Sequence, residues 1–336
     1  MSFSHETKLE VLSYPIQNEC CKLAFLSAVI KSCGELTKKG KQIFVELKTD
    51  VDKLFDVVNG CLKTLYGATA TLREDDDLAI NKTKRFVITL PQNVTSRILF
   101  DCGVAKYNAD GDFSFLPGQA DNVIENECCL KSYIKGVFVT ASTSNIVVND
   151  DKNVRTGGGY HWEFVFSNEI YANDFSNLLF SVNIPNKKSK RKNLFVLYIK
   201  EAEKVSDLLA IVGAMKNLLK LQNEMTLREV RNNINRQNNC LSANISKTVN
   251  ASLKQISAIT TIQKTIGFDA LPQNLRELCL ARLANPEESL ENLTKLLSHP
   301  ITKSGVNHQF DRIFNIAEKI KSKKSTNKKL NRKVDV

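Results

Sequence analysis

The sequence predicts an α+β fold: a pseudo-two-fold duplicated α/β domain followed by an all-α helix-turn-helix domain. Three observations carry this. The stretch opening at Asn18 (NECCKLAFLSAVIKSCGEL) returns at Asn126 (NECCLKSYIKGVFVTASTSNI). In each half, strand-like segments alternate with amphipathic helices. From Asn285 to Ile320 the apolar residues mark two short helices separated by a tight break.

Sliding one copy of the repeat onto the other aligns Ala24 with Ser132, Phe25 with Tyr133, Leu26 with Ile134, Ala28 with Gly136 and Val29 with Val137. A match of that length at one offset marks a duplicated unit. In the first half IFVELK (43–48) precedes a helix over about 50–66, and RFVITL (85–90) precedes a shorter one. In the second half HWEFVF (161–166) precedes a helix near 168–181, and LFVLYI (194–199) precedes a helix starting near Glu201. The domain therefore spans 1–222, with halves at about 1–107 and 123–222. Gly157, Gly158 and Gly159 read as a hairpin loop, since no Lys-Ser/Thr follows to make a phosphate-binding loop. Each opening helix carries small residues four apart, Ala24 and Ala28, then Ser132 and Gly136. They share a face and let two helix backbones approach about the pseudo-two-fold axis.

From Glu201 to about Gln222 the chain is apolar at helical spacing, with Gly213 and Ala214 inside. A helical connector (223–284) follows. Its stretch 228–259 holds a polar, positive ladder of Arg228, Arg231, Asn235, Arg236, Asn239, Asn244, Lys247 and Asn250. Two readings stand side by side: contacts to phosphates and base edges, or a polar inter-helix network that fixes the angle between domains. Phe268, Leu271 and Pro272 mark a break before NLRELCLARL (274–283).

The helix-turn-helix element spans 285–321. Asn285 is placed to cap its first helix, with Pro286 at the first position and Glu288 completing a capping box. Leu290, Leu293, Leu296 and Leu297 form its apolar face, and His299-Pro300 stops it. Thr302 caps the second helix. Val306, Phe310, Ile313, Phe314, Ala317 and Ile320 line one face, leaving Lys303, Ser304, Asn307, His308, Asp311 and Arg312 outward. A polar second helix after a short turn suits entry into the DNA major groove, although amphipathic helix pairs are also common in plain all-α domains. Residues 322–336 read as a basic disordered tail, and Lys319 and Lys321 just before it, with Lys323, Lys324, Lys328, Lys329, Arg332 and Lys333 within it, suit phosphate neutralisation.

The chain has 336 residues, is 42% hydrophobic and 25% charged, and carries a formal charge of +11. Length calls for two or three domains, and the charge for an anionic partner, nucleic acid or a membrane surface. No apolar run reaches bilayer length and the N-terminus is polar, so a soluble, cytosolic protein is expected. The nine cysteines (20, 21, 33, 61, 102, 128, 129, 240, 279) include no C-x-x-C pair, and histidines number four. That pattern reads as small buried hydrophobes, with no disulfide framework, no metal and no cofactor.

The paired small-residue helices resemble the LAGLIDADG motif of homing endonucleases, where an acid near the end of each helix holds the catalytic metal. Aligned on that motif, Cys33 and Ala141 occupy the acid positions, and Ser142 replaces the second glycine. Neither supplies the hard oxygen ligands that magnesium needs. Glu35 lies two residues past Cys33, but Thr143 stands there in the second copy. A metal-dependent nuclease is therefore disfavoured. Over almost the whole chain, from Ser2 to about Lys321, the sequence resembles the WhiA family. The resemblance rests on SFSHETKLE, NRQNNCLSANISKTVNASLKQ (235–255), GFDALPQNLRELCLARLANPEESL (267–290) and TKSGVNHQF (302–310). It implies a non-catalytic protein that binds double-stranded DNA, with Lys303, Ser304, Asn307, His308 and Arg312 facing DNA; Arg228, Arg231, Arg236 and Lys247 of the polar ladder are the supporting candidates read from the residues themselves. It also implies a transcriptional regulator active in cell division and chromosome segregation, cytoplasmic and nucleoid-associated. A cell-division scaffold working through division or transcription proteins is the rival. The internal repeat does what a homodimer would do, so a monomer is expected.

Overall fold

The computed structural model describes residues 2–39, 42–75, 84–107, 113–119, 121–148, 159–299 and 301–331, the side chains of Asp121 and 324–331 excepted. It divides into two compact units, Met1–Arg228 and Glu229–Val336.

The first unit opens with α1 (Phe3–Val11). The first copy follows as α2 (Glu19–Cys33), β1 (Gly34–Lys39), β2 (Gln42–Thr49), α3 (Leu54–Tyr66), β3 (Thr71–Glu74), β4 (Phe86–Thr89) and α4 (Thr95–Asp101). A small hairpin, β5 (Ala105–Tyr107) with β6 (Phe113–Phe115), leads to the second copy. That copy is α5 (Glu127–Ala141), β7 (Ser142–Ser144), β8 (Trp162–Phe166), α6 (Glu169–Ser181), β9 (Lys187–Arg191), β10 (Leu194–Ile199) and α7 (Ala202–Val212). The sheets are antiparallel and match in order: β1-β2-β4-β3 and β7-β8-β10-β9. Alternation sets their inner faces, Ile43, Val45 and Leu47 on β2, and Trp162, Phe164 and Phe166 on β8. Trp162 stacks on Phe138 of α5 at 5.1 Å and meets Phe3 of α1 edge-on at 6.2 Å. Fully burying one such side chain contributes roughly 1.5–3 kcal/mol.

Helices α2 and α5 pack along their whole length. Ala24 and Ala28 are fully buried, and a Cβ built on Gly136 would lie 2.6 Å from the Ala28 Cβ and 2.8 Å from the Phe25 carbonyl oxygen. Ser32 and Thr140, equivalent positions 108 residues apart, join through their hydroxyls at 2.7 Å. The Ser132 hydroxyl donates to the Cys21 carbonyl at 2.7 Å.

The continuous helix expected over 201–222 is broken. α7 ends at Gly213, whose φ of +79° closes the helix in the left-handed conformation, and α8 (Met215–Gln263) begins afresh. Glu10 receives the first N–H groups of α8, from Lys216 and Asn217, at 2.7 and 3.0 Å. The division between units falls within α8.

The second unit holds the rest of α8, then α9 (Gln273–Ala284), α10 (Leu290–Lys295) and α11 (Lys303–Asn331). The connector and the helix-turn-helix that the sequence separates share one core: Ala258, Ile259 and Ile262 of α8 pack with Leu275, Leu278, Leu293, Val306, Phe310 and Ile313. Two end assignments need correction. Asn285 terminates α9 instead of opening the next helix, and Ser289 caps α10 by accepting the Asn292 N–H at 3.2 Å. The cause is Arg282, buried under Phe310, which draws in the carbonyls of Asn285, Pro286 and Glu288 and holds this stretch as a turn. Leu296, placed on the apolar face by the sequence, falls beyond α10 and is exposed. The tail expected to be disordered from 322 is helical backbone as far as Asn331. Pro300 and most of the triple glycine, Gly157 and Gly158, lie outside the described residues.

Candidate nucleic-acid interface

In the second unit α11 presents the face the sequence assigns to DNA. Lys303, Ser304, Asn307, His308, Asp311 and Arg312 are all exposed, while Val306, Phe310, Ile313 and Ala317 anchor the opposite side. Thr302 accepts the Gly305 N–H at 3.2 Å, the expected cap. The approach from α10 is pinned by Glu277 of α9, which takes the Ser298 N–H and accepts its hydroxyl at 2.8 Å. Those two donors hold the Glu277 carboxyl below its ordinary value. The turn is thus tied to the scaffold, and the outward side chains of α11 start from a fixed position. Lys319, Lys321 and Lys323 continue along the helix, exposed.

The supporting residues separate. From Glu229 to Ala251 every residue of α8 is exposed, including Arg231, Arg236 and Lys247. The ladder lies on a helix open to solvent. Arg228 differs. Its guanidinium donates to Glu224 at 2.8 Å and to the Val147 carbonyl at 3.1 Å, and lies 4.8 Å from the Tyr160 ring centre. That arginine braces the first unit through these contacts.

One basic element escapes the sequence reading. Every residue of β9 is exposed, and four are cationic: Lys187, Lys188, Lys190 and Arg191. Arg191 is committed to Glu163 by two bonds of 2.9 and 2.7 Å. Burial pushes the Glu163 carboxyl up, but Arg191 and His161 outweigh it and leave it below its ordinary value. The signal for this strand is the run KKSKRK at 187–192, which lies far from the C-terminal lysines that dominate the charge pattern.

At the lower ends of the paired helices, Cys33 is the last residue of α2 and Ala141 the last of α5, the positions the alignment gave them. The Cys33 thiol donates to the Val29 carbonyl at 3.3 Å, and desolvation pushes it up to about 12. Glu35 pairs with Lys48 at 2.8 Å. Nearby, burial lowers Lys31 to about 8, and its ammonium donates to the carbonyls of Leu116 (3.2 Å) and Gly118.

At the opposite ends of the same helices, Cys20 and Cys128 depart from the small buried hydrophobes that the sequence suggests, being exposed. Cys20 and Cys21 open α2, Cys128 and Cys129 open α5, and their four sulfurs lie within 4.8 Å of one another. Ligand spacing along the chain does not reveal this cluster, because the two cysteine pairs meet only when the two copies pack together.

A duplicated LAGLIDADG-like domain joined to a helix-turn-helix domain is the class this architecture defines. Family models match in the same order: the WhiA N-terminal LAGLIDADG-like domain over 19–105, the WhiA LAGLIDADG-like domain over 130–231, and the WhiA C-terminal HTH domain over 234–317. Relatives named "Probable cell division protein WhiA" from Clostridium botulinum and Clostridium acetobutylicum are 37% and 38% identical, across 96% of this chain and 99% of theirs. The crystal structure of full-length DUF199/WhiA from Thermatoga maritima has the same fold, at a TM-score of 0.54 and 22% identity over 95% of this chain and 99% of that one. The chain belongs to the WhiA family. Among the described residues, no helix is long and apolar enough to cross a membrane.

Proposed function

We propose that this chain is a non-catalytic, double-stranded-DNA-binding protein of the WhiA type, a transcriptional regulator acting in cell division and chromosome segregation at the nucleoid. The observation that carries the reading is the outward face of α11. Lys303, Ser304, Asn307, His308 and Arg312 stand free of the core on a helix whose other face is locked into it. Asn and Arg match adenine and guanine edges, and each good bidentate pair contributes about 1–3 kcal/mol of discrimination. Arg231, Arg236 and Lys247 on α8, and the lysines following Ile320, are assigned to the phosphate backbone, where charge gives affinity without sequence preference. Arg228, held by Glu224 and Val147, does not belong to that set. Cys33 and Ala141 support the absence of catalysis, since they offer no carboxylate where a hard divalent ion would need oxygen. The chain works as a monomer, its pseudo-two-fold being internal.

Footprinting with the Asn307→Ala/Arg312→Ala protein tests the reader helix. We expect the protected sequence to disappear while weak, salt-sensitive binding persists. An unchanged footprint rejects the assignment of α11. Chromatin immunoprecipitation with the same variant tests the regulatory role: promoter peaks that survive both substitutions would move the function to protein partners.

A further inference from the structure

We infer that Cys20, Cys21, Cys128 and Cys129 form a binding site for a single thiophilic divalent cation, of which zinc is the expected occupant. Each copy of the repeat supplies two ligands from the first turn of its paired helix. The four sulfurs already cluster within 4.8 Å, and Cys128 and Cys129 stand 4.0 Å apart. A zinc ion with zinc–sulfur bonds of about 2.3 Å holds its tetrahedral sulfurs about 3.8 Å from one another. Side-chain adjustments of about an ångström therefore close the site. A multi-iron cluster would set its cysteines farther apart, by the cluster's own width, so the spacing favours a mononuclear ion.

The helix ends favour thiolates, against the burial of Cys21 and Cys129, which disfavours them. Both cysteine pairs sit at helix N-termini, where the backbone dipoles favour negative charge. Asn18 and Asn126, the residues ahead of those helices, make no side-chain cap, so neither competes for first-turn N–H groups. Burial alternates with the duplication: Cys21 and Cys129 are buried, Cys20 and Cys128 exposed. The site thus has an inner half fixed by packing and an outer half open for metal entry. The Cys21 carbonyl is further held by the Ser132 hydroxyl of the opposite helix. All nine cysteines are free thiols. Metal entry replaces four S–H bonds by four metal–sulfur bonds and releases four protons. The assembly then carries a charge of −2 between the two helix ends, with no change in oxidation state.

The test uses the full chain, purified under reducing conditions from zinc-supplemented cells. Elemental analysis is expected to find about one zinc per chain, and in the Cys20→Ser/Cys128→Ser protein less than about a tenth of that. Cys240→Ser, which removes an exposed thiol from α8, is expected to keep its zinc. Cobalt(II) added to chelator-stripped wild-type protein should give intense thiolate-to-cobalt absorption with the visible bands of a tetrahedral sulfur site. This wild-type readout decides the question even if the double variant fails to fold. Three results overturn the inference: reduced wild-type protein without zinc and spectrally silent with cobalt; full metal content in the double variant; or native protein whose mass, short by hydrogens, shows disulfides in place of metal.

Discussion

The two copies of the α/β unit agree in backbone and disagree in charge. Strand pairing places Thr71, Leu72, Arg73 and Glu74 of β3 opposite Thr89, Ile88, Val87 and Phe86. The same register in the second copy sets Lys187, Lys188, Ser189 and Lys190 of β9 against Tyr198, Leu197, Val196 and Phe195. The inward positions stay apolar in both, whereas Glu74 in one half is matched by Lys190 in the other. Duplication fixed the packing, which tolerates little change, and left the solvent face of each edge strand to diverge. β9 presents a row of four cations, where β3 presents Arg73 alone. A similar asymmetry runs through the helix pair, where Ala28 faces Gly136 and Cys33 is matched by Ala141.

The largest effect expected from breaking this comparison is at the helix crossing. Gly136→Ala adds a methyl where no space exists and should destabilise by about 1–3 kcal/mol. The reciprocal Ala28→Gly should cost only about 0.5–1 kcal/mol, from helix propensity. Denaturant midpoints for the two variants measure the difference; equal losses would mean the crossing is looser than the geometry says. Next comes the edge strands' charge. Replacing Lys187, Lys188 and Lys190 with alanine should weaken binding to all DNA sequences alike and flatten the salt dependence by about 0.9 for each phosphate left without a cation. Alanine at Thr71, Leu72 and Glu74 should leave the slope unchanged. Equal behaviour of the two strands would remove the asymmetry from the function. The smallest effect concerns Glu163. Its carboxyl lies below its ordinary value, so its pairing with Arg191 and His161 stabilises above the unfolded carboxylate pKa, about 4.3, and is lost as pH falls through the folded value. Glu163→Gln should therefore flatten the acid side of the stability profile by no more than the ~0.2–1 kcal/mol of a partly exposed pair. An unchanged acid limb would show that the pair contributes nothing.

Much of the architecture was legible because it rests on local periodicity. IFVELK and HWEFVF alternate, Val306, Phe310 and Ile313 recur at helical spacing, and the repeat declares itself by offset. Legibility ended where a side chain answers to something far away in sequence. Asn285 looks like a cap until Arg282 claims the turn. Arg228 looks like a DNA contact until Val147 and Tyr160 claim its guanidinium. The four cysteines were visible as two identical dipeptides, but only the packing of α2 on α5 brings their sulfurs together. Gly213 illustrates a different limit: glycine inside an apolar run is compatible with a helix, and nothing local shows that it closes one helix in the left-handed conformation just before Glu10 caps the next.

The close crossing at Gly136 and Ala28 ties the two copies together. The space between them holds one methyl group. Ala28 carries it; on Gly136 it would also meet the Phe25 carbonyl oxygen at 2.8 Å. Residues that touch in this way do not vary additively, so the effect of a substitution at one position depends on the residue at the other.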